Sequence, residues 1–312
     1  MLAGERFSVE LSIIVVNYNT RDLLRECLAS LAAETEAIPY ETIVVDNAST
    51  DGSQEMVAQE FPTVRLVVNS ENRGFAAANN QAIKHSSSRY VLLLNSDTKI
   101  LDGAVQKTLH FMYQRPEAAI VGCKLLNPDG TLQPSCRGFP SVWNLFAESL
   151  FLHLLFANTR LFGHYHMSFF DHGEVRDVDI IKGAFMMIRR EVFETIGVFD
   201  ESYFMYTEEV DFCYRAHRHG YRTSFFPSAA IIHYGGGSTE SLETFSEQLH
   251  LTQLQFIKKH FRGIRRLAGI FLKVTGIATR VVVYFVMGMF TLRSGLLQKS
   301  RAYAVAFRRI MR

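Results

Sequence analysis

The chain has 312 residues, 48% of them hydrophobic and 21% charged, enough apolar material for one large core or a core with an appendage, which excludes a disordered chain. Its net charge of +2 hides a split: 13 of the 33 Lys and Arg and none of the 31 Asp and Glu lie between Gln248 and Arg312. An acidic body with a basic tail suits a tail that meets an anionic surface, either lipid headgroups or nucleic acid.

In chain order, the apolar run Leu11 to Val16 predicts a strand, followed by the polar turn Asn17-Tyr18-Asn19-Thr20. A helical pattern comes next, with Leu23, Leu24, Cys27, Leu28 and Leu31 on one face. The unit recurs. Thr42 to Val45 is a short β-branched run, Asp46 to Ser53 a turn-rich loop and Glu55 to Phe61 a helix. Val64 to Val68 reads as a third strand, Phe75 to His85 as a third helix, and Tyr90 to Leu94 as a fourth strand ending at Asn95-Ser96-Asp97. Alternation of this kind predicts an α/β domain with a mainly parallel sheet, in which ligands sit at the carboxyl ends of the strands. Three polar loops stand there: Asn17 to Thr20, Asp46 to Ser53 and Asn95 to Thr98. Ordinary turn chemistry is the alternative reading of each.

Cys136 to Val178 is less regular and holds the only tryptophan, Trp143; a packed helical insertion and a mobile substrate loop both fit it. After it come Ile180 to Arg189, the turn Gly197 to Glu201, and the acidic cluster Glu208-Glu209-Val210-Asp211 opening a helix. The strand Ala229 to His233 and the run Gly235-Gly236-Gly237 follow. Cys27, Cys123, Cys136 and Cys213 show no C-x-x-C spacing and read as free thiols of a reducing compartment. Met1 to Glu10, with Glu5, Arg6 and Glu10, lacks the apolar stretch of a signal peptide, so export is not expected.

Two kinds of residue in this pattern suit phosphate chemistry. A divalent cation takes hard oxygen ligands and sometimes an imidazole, so the strand-end Asp97 and His233 are candidate ligands. Glu209 at a helix start is a candidate general base, and Asp211 is either its orienting neighbour or a salt-bridged structural group. Each has a plainer alternative: a turn aspartate, acidic residues favoured by a helix dipole, a structural histidine.

The order of the motifs is more specific than any one of them. V-V-N-Y-N at Val15 to Asn19, V-V-D-N-A-S-T-D-G-S at Val44 to Ser53, N-R-G-F-A-A-A-N-N at Asn72 to Asn80 and L-L-L-N-S-D at Leu92 to Asp97 form the first half. G-A-F-M-M-I-R-R at Gly183 to Arg190, G-V-F-D-E at Gly197 to Glu201, F-M-Y-T-E-E-V-D at Phe204 to Asp211 and H-Y-G-G-G-S at His233 to Ser238 form the second. Over roughly residues 10 to 240 this series resembles glycosyltransferase family 2, and within it the bacterial rhamnosyltransferases of O-antigen and cell-wall glycan assembly. The resemblance implies a GT-A fold (Rossmann-like, a mainly parallel sheet flanked by helices), a nucleotide-sugar donor, a Mg or Mn ion and an inverting single displacement. It implies that Asn17, Tyr18 and Asn19 line the nucleoside pocket and that Asp46, with Asn47 beside it, reads the base or ribose. Arg73, Gly74 and Gly183 join the donor-binding set. Asn95-Ser96-Asp97 stands where the family has D-x-D, with Asp97 on the metal and Ser96 facing ribose or ion, and His233 matches the second metal ligand. The family's E-D-x-D reads E-E-V-D here, which puts Glu209 in the place of the base.

The expected organisation is a GT-A domain over 1–240, with a donor-binding half at about 10–100 and an acceptor half at about 101–240. Residues 241–312 form a basic, apolar, helical membrane-association region. Lys259, Arg266, Lys273 and Arg280 recur every seven residues, a basic stripe suited to an anionic leaflet. Val281 to Leu292, the longest uncharged piece near it, is shorter than the roughly 20 residues a span needs, so a peripheral tail is expected, at the cytoplasmic face of a bacterial inner membrane. The alternative is a helical subdomain packed on the body or on a second subunit, a homo-oligomer. Nucleic acid is not expected, because the aromatics form no reader motif. A lipid-linked oligosaccharide is the acceptor expected of such an enzyme. The competing readings are a catalytically silent glycan-binding or scaffold protein on the same fold, and a sugar-nucleotide pyrophosphorylase, whose Gly-rich phosphate loop is not present at Asn17 to Asn19.

Overall fold

A computed structural model of the chain describes residues 7, 9–35, 38–236 and 241–311. Glu5, Arg6, Gly237, Ser238 and Arg312, which figure in the sequence reading, lie outside the described residues. In chain order the first elements are β1 (Val9–Asn17), α1 (Arg21–Glu34), β2 (Tyr40–Asp46), α2 (Ser53–Glu60), β3 (Arg65–Val68), α3 (Gly74–His85) and β4 (Ser88–Asn95). There follow β5 (Thr98–Leu101), α4 (Ala104–Gln114), β6 (Ala118–Leu126), β7 (Leu132–Gln133), β8 (Cys136–Arg137), α5 (Val142–Ser149) and α6 (Leu152–Leu155). The remainder is β9 (Arg176–Val178), β10 (Ile180–Ile181), β11 (Phe185–Arg189), α7 (Arg190–Ile196), α8 (Glu208–Arg218), β12 (Arg222–His233), α9 (Leu242–His260), α10 (Gly263–Thr291) and α11 (Ser294–Ile310).

Two compact units emerge. The first comprises Met1–Arg137, His172–Phe204 and Glu208–Ser238, the second Gly138–Asp171, Met205–Thr207 and Thr239–Arg312. The segment after Arg137, which the sequence left open between packed insertion and mobile loop, thus folds with the C-terminal helices.

The first unit is built on a sheet ordered β3-β2-β1-β4-β11-β6-β12-β5, with β7 on β6 and β9 on β12. Strands β1 to β4 are parallel, and Asn17 pairs in register with Asp46 while Val16 pairs with Asn95. Their carboxyl ends therefore present the three polar loops side by side. Leu11, Ile13, Ile14 and Val15 of β1 are fully buried, as a central strand covered on both faces requires, and α1 packs Leu24, Cys27, Leu28 and Leu31 into the same core. The sheet then departs from the parallel pattern: β11 runs antiparallel to β4, and β5 antiparallel to β12. Pro227 lies inside β12 where the pairing with β6 shifts register between Phe226 and Ala230; a proline cannot donate to the ladder, so a bulge is the way to keep it in a strand. All four cysteines are buried free thiols.

The second unit is helical. Ser141 and Ser241 cap α5 and α9, accepting from the backbone N–H of Asn144 and Thr244. The α5 and α10 backbones approach closely: Ser149 Oγ donates to Leu272 O at 2.8 Å, and a Cβ on Gly276 would stand 2.6 Å from Ser149 Oγ. Helix α10 has 29 residues and an 18-residue window of mean hydropathy 1.8, long and apolar enough to cross a membrane.

The heptad basic stripe does not survive folding. Lys259 belongs to α9, and the break at Phe261 and Arg262 resets the helical phase before Arg266. Lys273 is buried, and Arg280 donates to the carbonyls of Gly276 and Glu148. Beyond Arg265 and Arg266 in its first turn, what α10 turns outward is mostly apolar: Ile264, Leu267, Phe271, Val282, Phe285 and Met289 are exposed at the three- and four-residue spacing of one face. The physical reason is pairing. Inside the unit, the two cations find the Glu148 carboxylate, Gln253 and the carbonyls of Gly276 and Glu148, partners that an outward stripe would lack.

Candidate active site

Everything the sequence singled out for chemistry falls in the first unit, at the carboxyl ends of β1, β2 and β4 and around them. Asn17 and Asp46 are buried neighbours, with Asn17 Nδ2 donating to Asp46 Oδ2 at 2.8 Å. The other Asp46 oxygen accepts from Ser49 N at 2.9 Å and Gln54 Nε2 at 2.8 Å. Three donors on one carboxylate hold its two oxygens in place as acceptors at the strand end. Thr20 extends the network: its hydroxyl donates to Asn17 Oδ1 at 2.6 Å and shares a 2.8 Å bond with Ser96 Oγ. A continuous hydrogen-bonded chain thus joins Asp46 to Ser96, the neighbour of Asp97. Asn19 takes the left-handed conformation, with φ 51°, and its side chain accepts from Thr50 N at 2.8 Å, which ties the first loop to the second.

Asn47 points the other way. Its amide donates to Gly74 O at 3.2 Å and accepts from Asn69 Nδ2 at 2.9 Å, so it braces the loop that enters α3. Gly74 is required there on two counts: φ is +80°, and a Cβ would stand 2.4 Å from Phe204 O. Phe75 N donates to that same carbonyl at 2.7 Å. Arg73 precedes it as an exposed side chain, and Tyr18 is half-buried. Gly183 sits against the Phe75 ring, from which a Cβ there would stand 3.7 Å away, and the next residue's carbonyl accepts from Asn95 N at 3.1 Å.

Asp97 and His233 meet because of the sheet. Antiparallel pairing of β5 with β12 places His233 opposite Thr98, and Tyr234 N donates to Asp97 O at 2.9 Å. His233 Nε2 then lies 3.3 Å from Asp97 Oδ1. The tautomer follows from the other ring nitrogen. Gln133 Nε2 donates to His233 O at 3.1 Å and to Asn127 Oδ1 at 3.0 Å, so Gln133 Oε1 is the atom 2.6 Å from His233 Nδ1 and must accept from it. In the neutral imidazole Nδ1 therefore carries the proton, and Nε2 faces the Asp97 carboxylate with its lone pair. Two acceptors pointed at each other fit a shared cation, and a histidine oriented through its second nitrogen is the usual arrangement of a metal ligand. Asn95 adds a buried Oδ1 without a hydrogen-bond partner, while its Nδ2 lies 3.4 Å from His233 Nε2. Among the described residues no third His, Cys, Asp or Glu joins the pair, which suits a cation that takes most of its oxygens from a bound phosphate group.

The acidic cluster divides into two roles. Asp211 is fully buried and accepts from Arg215 Nε at 2.8 Å; Arg215 also donates to the carbonyls of Ile196 and Val198 at 2.7 and 2.8 Å. Of the roles the sequence left open for Asp211, the salt-bridged structural group matches this geometry. Glu208 and Glu209 each keep a buried carboxylate oxygen without a partner. Burial pushes both carboxyls up, Glu208 well above the usual range with the Glu209 charge adding to it. Arg137 and Lys182 pull Glu209 back toward ionisation, and burial lowers the Lys182 ammonium in turn. Backbone N–H groups at Glu209 and Val210 also bond the Glu209 carboxylate, but its Oε2 has no partner, and a raised carboxylate with one open oxygen among cations is what a general base needs.

Sequence reasoning missed Thr20, Gln133 and Lys182. For Gln133 a signal existed: Asn127-Pro128-Asp129-Gly130 is a turn sequence, and the hairpin it makes returns β7 beside β6, with Gln133 opposite Leu125. Lys182 had none, because nothing local marks a lysine between two short strands.

Residues 12–197 match the sequence model of the family described as Glycosyl transferase family 2. An N-acetylglucosaminyl-diphospho-decaprenol L-rhamnosyltransferase of Mycobacterium tuberculosis is 30% identical over 240 residues, 73% of this chain and 77% of its own. Rhamnosyltransferase WbbL of Escherichia coli strain K12 is 25% identical over 81% of this chain and 92% of its own. Among solved structures, the mannosyltransferase PcManGT of Pyrobaculum calidifontis, in complex with GDP-Man and Mn2+, superposes with a TM-score of 0.58 over 98% of this chain and 91% of its own. At 18% identity that likeness speaks to the fold alone, and it agrees with the GT-A expectation.

Proposed function

The chain belongs to glycosyltransferase family 2, and from that premise we propose that it transfers L-rhamnose from dTDP-rhamnose to a lipid-linked glycan by metal-assisted, inverting single displacement. That it is a nucleotide-sugar-dependent glycosyltransferase follows from the family and its relatives. The sugar rests on the names of the two rhamnosyltransferases, and the lipid-linked acceptor on the name of the first. The observation that carries the mechanism is the Asp97 and His233 pair, 3.3 Å apart with the imidazole lone pair aimed at the carboxylate.

In this reading Asn17, Tyr18, Asn19 and Asp46 receive the nucleoside, with Asp46 accepting from base or ribose through the oxygen edge that Ser49 and Gln54 hold in place. Asn47 and Gly74 shape the loop that brings Arg73 and Gly183 to the donor, and Ser96 is oriented by Thr20. Asp97 and His233 would hold a Mg or Mn ion, whose positive charge stabilises the departing diphosphate. Glu209 takes the proton of the acceptor hydroxyl as its oxygen bonds to the anomeric carbon; the bond to the diphosphate oxygen breaks with its electron pair, inverting that carbon. Lys182 and Arg137 keep Glu209 ionised enough to act as base, and Asp211 anchors the helix that carries it.

The outward apolar face of α10 supports a peripheral membrane contact, which this reading assigns to the cytoplasmic side of a bacterial inner membrane. Exposed Arg262, Arg265 and Arg266 flank one end and Arg293 and Lys299 the other, where headgroup phosphates would meet them. Anionic vesicles should therefore retain the protein in flotation. If they do not, and the protein is a stable dimer, the face is a subunit contact.

The deciding experiment measures nucleoside diphosphate release from a panel of sugar nucleotides with a lipid-linked acceptor, in Mg, Mn or EDTA. Metal-dependent release from one donor, lost in Asp97→Ala and Glu209→Gln while Glu209→Gln still binds donor, is expected. Donor binding without turnover under every condition would replace this reading with a silent scaffold.

A further inference from the structure

A cavity of about 240 Å³ lies wholly within the second unit, between α5, α9, α10 and α11. Three charged side chains line it. Glu148 is engaged, its Oε1 accepting from His166 Nε2 at 2.9 Å. Lys273 is buried, and its Nζ donates to Gln253 Oε1; an ammonium has three protons to give, and no second bond is made to it among the described residues. Arg280 spends two N–H groups on the carbonyls of Gly276 and Glu148 and stacks over Phe151, its carbon Cζ 5.0 Å from the ring centre. Two cations therefore share one carboxylate that already has a partner.

We propose that this cavity binds a phosphate-type anion, a monoester or diester, received by Lys273 and Arg280. Phosphate fits better than a second carboxylate because it brings several acceptor oxygens and up to two charges. Those match the unclaimed protons and the surplus of cations. The remaining walls include Leu249, Leu272, Ile277 and Tyr284, which suit the organic part of an ester. Glu148 is a competitor for the same cations: against the burial that would raise it, His166 and Lys273 hold its carboxyl at about 2, so it stays ionised. Burial lowers His250 to about 2 and also lowers His153, so both are neutral walls that neither attract nor repel the anion. No residue of the donor site takes part.

The test uses the full chain, in EDTA and in an Asp97→Ala background, so that phosphate affinity at the catalytic site does not contribute. Methyl phosphate is titrated and followed by 31P NMR. Binding should weaken about tenfold in Lys273→Met, the loss of one charge-assisted bond, and strengthen severalfold in Glu148→Gln, where the competitor is neutral. A purely structural cluster would not gain affinity in Glu148→Gln, so that variant decides even where Lys273→Met fails to fold. Vesicles of phosphatidylcholine with and without phosphatidic acid, run in parallel, distinguish the source. Lys273-dependent retention on phosphatidic acid assigns a lipid headgroup, and Lys273-dependent methyl phosphate binding alone assigns a soluble phosphate. Affinity for both probes that is indifferent to both substitutions overturns the proposal.

Discussion

Replacing Gln133 by Met should weaken the proposed metal binding without touching Asp97 or His233. Gln133 accepts the His233 Nδ1 proton at 2.6 Å while donating to His233 O at 3.1 Å and Asn127 Oδ1 at 3.0 Å. Methionine keeps the volume and loses all three bonds. The imidazole is then free to rotate or to place its proton on Nε2, the atom that faces Asp97 at 3.3 Å. Loss of such an outer partner costs roughly 10- to 100-fold in metal affinity, or about 1.4–2.8 kcal/mol at 1.4 kcal/mol per decade. The assay is a Mn2+ titration read by electron paramagnetic resonance in the presence of nucleoside diphosphate. Gln133→Glu is the control, since a carboxylate still accepts from Nδ1 and should retain affinity. Unchanged affinity in Gln133→Met, together with its loss in Asp97→Ala, would refute the orienting role of Gln133.

Three further outcomes are expected. Gly74→Ala forces a left-handed alanine and drives Cβ to within 2.4 Å of Phe204 O; left-handed backbone at about 1–2 kcal/mol and overpacking at about 1–3 kcal/mol predict a loss of about 2–5 kcal/mol in urea denaturation. Asp211→Asn breaks a buried pair with Arg215, for which about 3 kcal/mol is the expected cost, the low end of the usual range, because Arg215 keeps its two carbonyls; chevron or equilibrium unfolding measures it. Glu208→Gln should become relatively more stabilising as pH rises. The folded carboxyl is raised by burial and by Glu209, so its protonated form favours folding below the unfolded pKa, and that contribution is lost as pH rises through the folded value. Thermal melts of both proteins at about pH 4 and about pH 8 should show the variant gaining in Tm over the wild type at the higher pH.

The parallel half of the fold was legible in the sequence because its signals are local. Fully buried strands read as apolar runs, and the polar residues that end them, Asn17, Asp46 and Asn95, mark the edge where ligands bind. The ordered motifs carried the family and hence the enzyme class. The strand that completes the site was less visible: β12 begins at Arg222, seven residues before the apolar run that predicts it, because half of it is polar and interrupted by Pro227.

What only tertiary structure decided are the pairings across long separations. No local pattern says that β5 lies against β12, yet that contact is what sets His233 beside Asp97 and lets Gln133 choose its tautomer. Asp211 could be assigned to Arg215 only once helix α8 existed, since the same E-E-V-D letters fit an orienting neighbour equally well. The tail shows the limit most clearly. A seven-residue spacing fixes which side chains share a helical face, but which way that face turns depends on where partners for its charges stand. Glu148 and Gln253, far away in sequence, drew Lys273 and Arg280 inward and left the apolar side of α10 facing out.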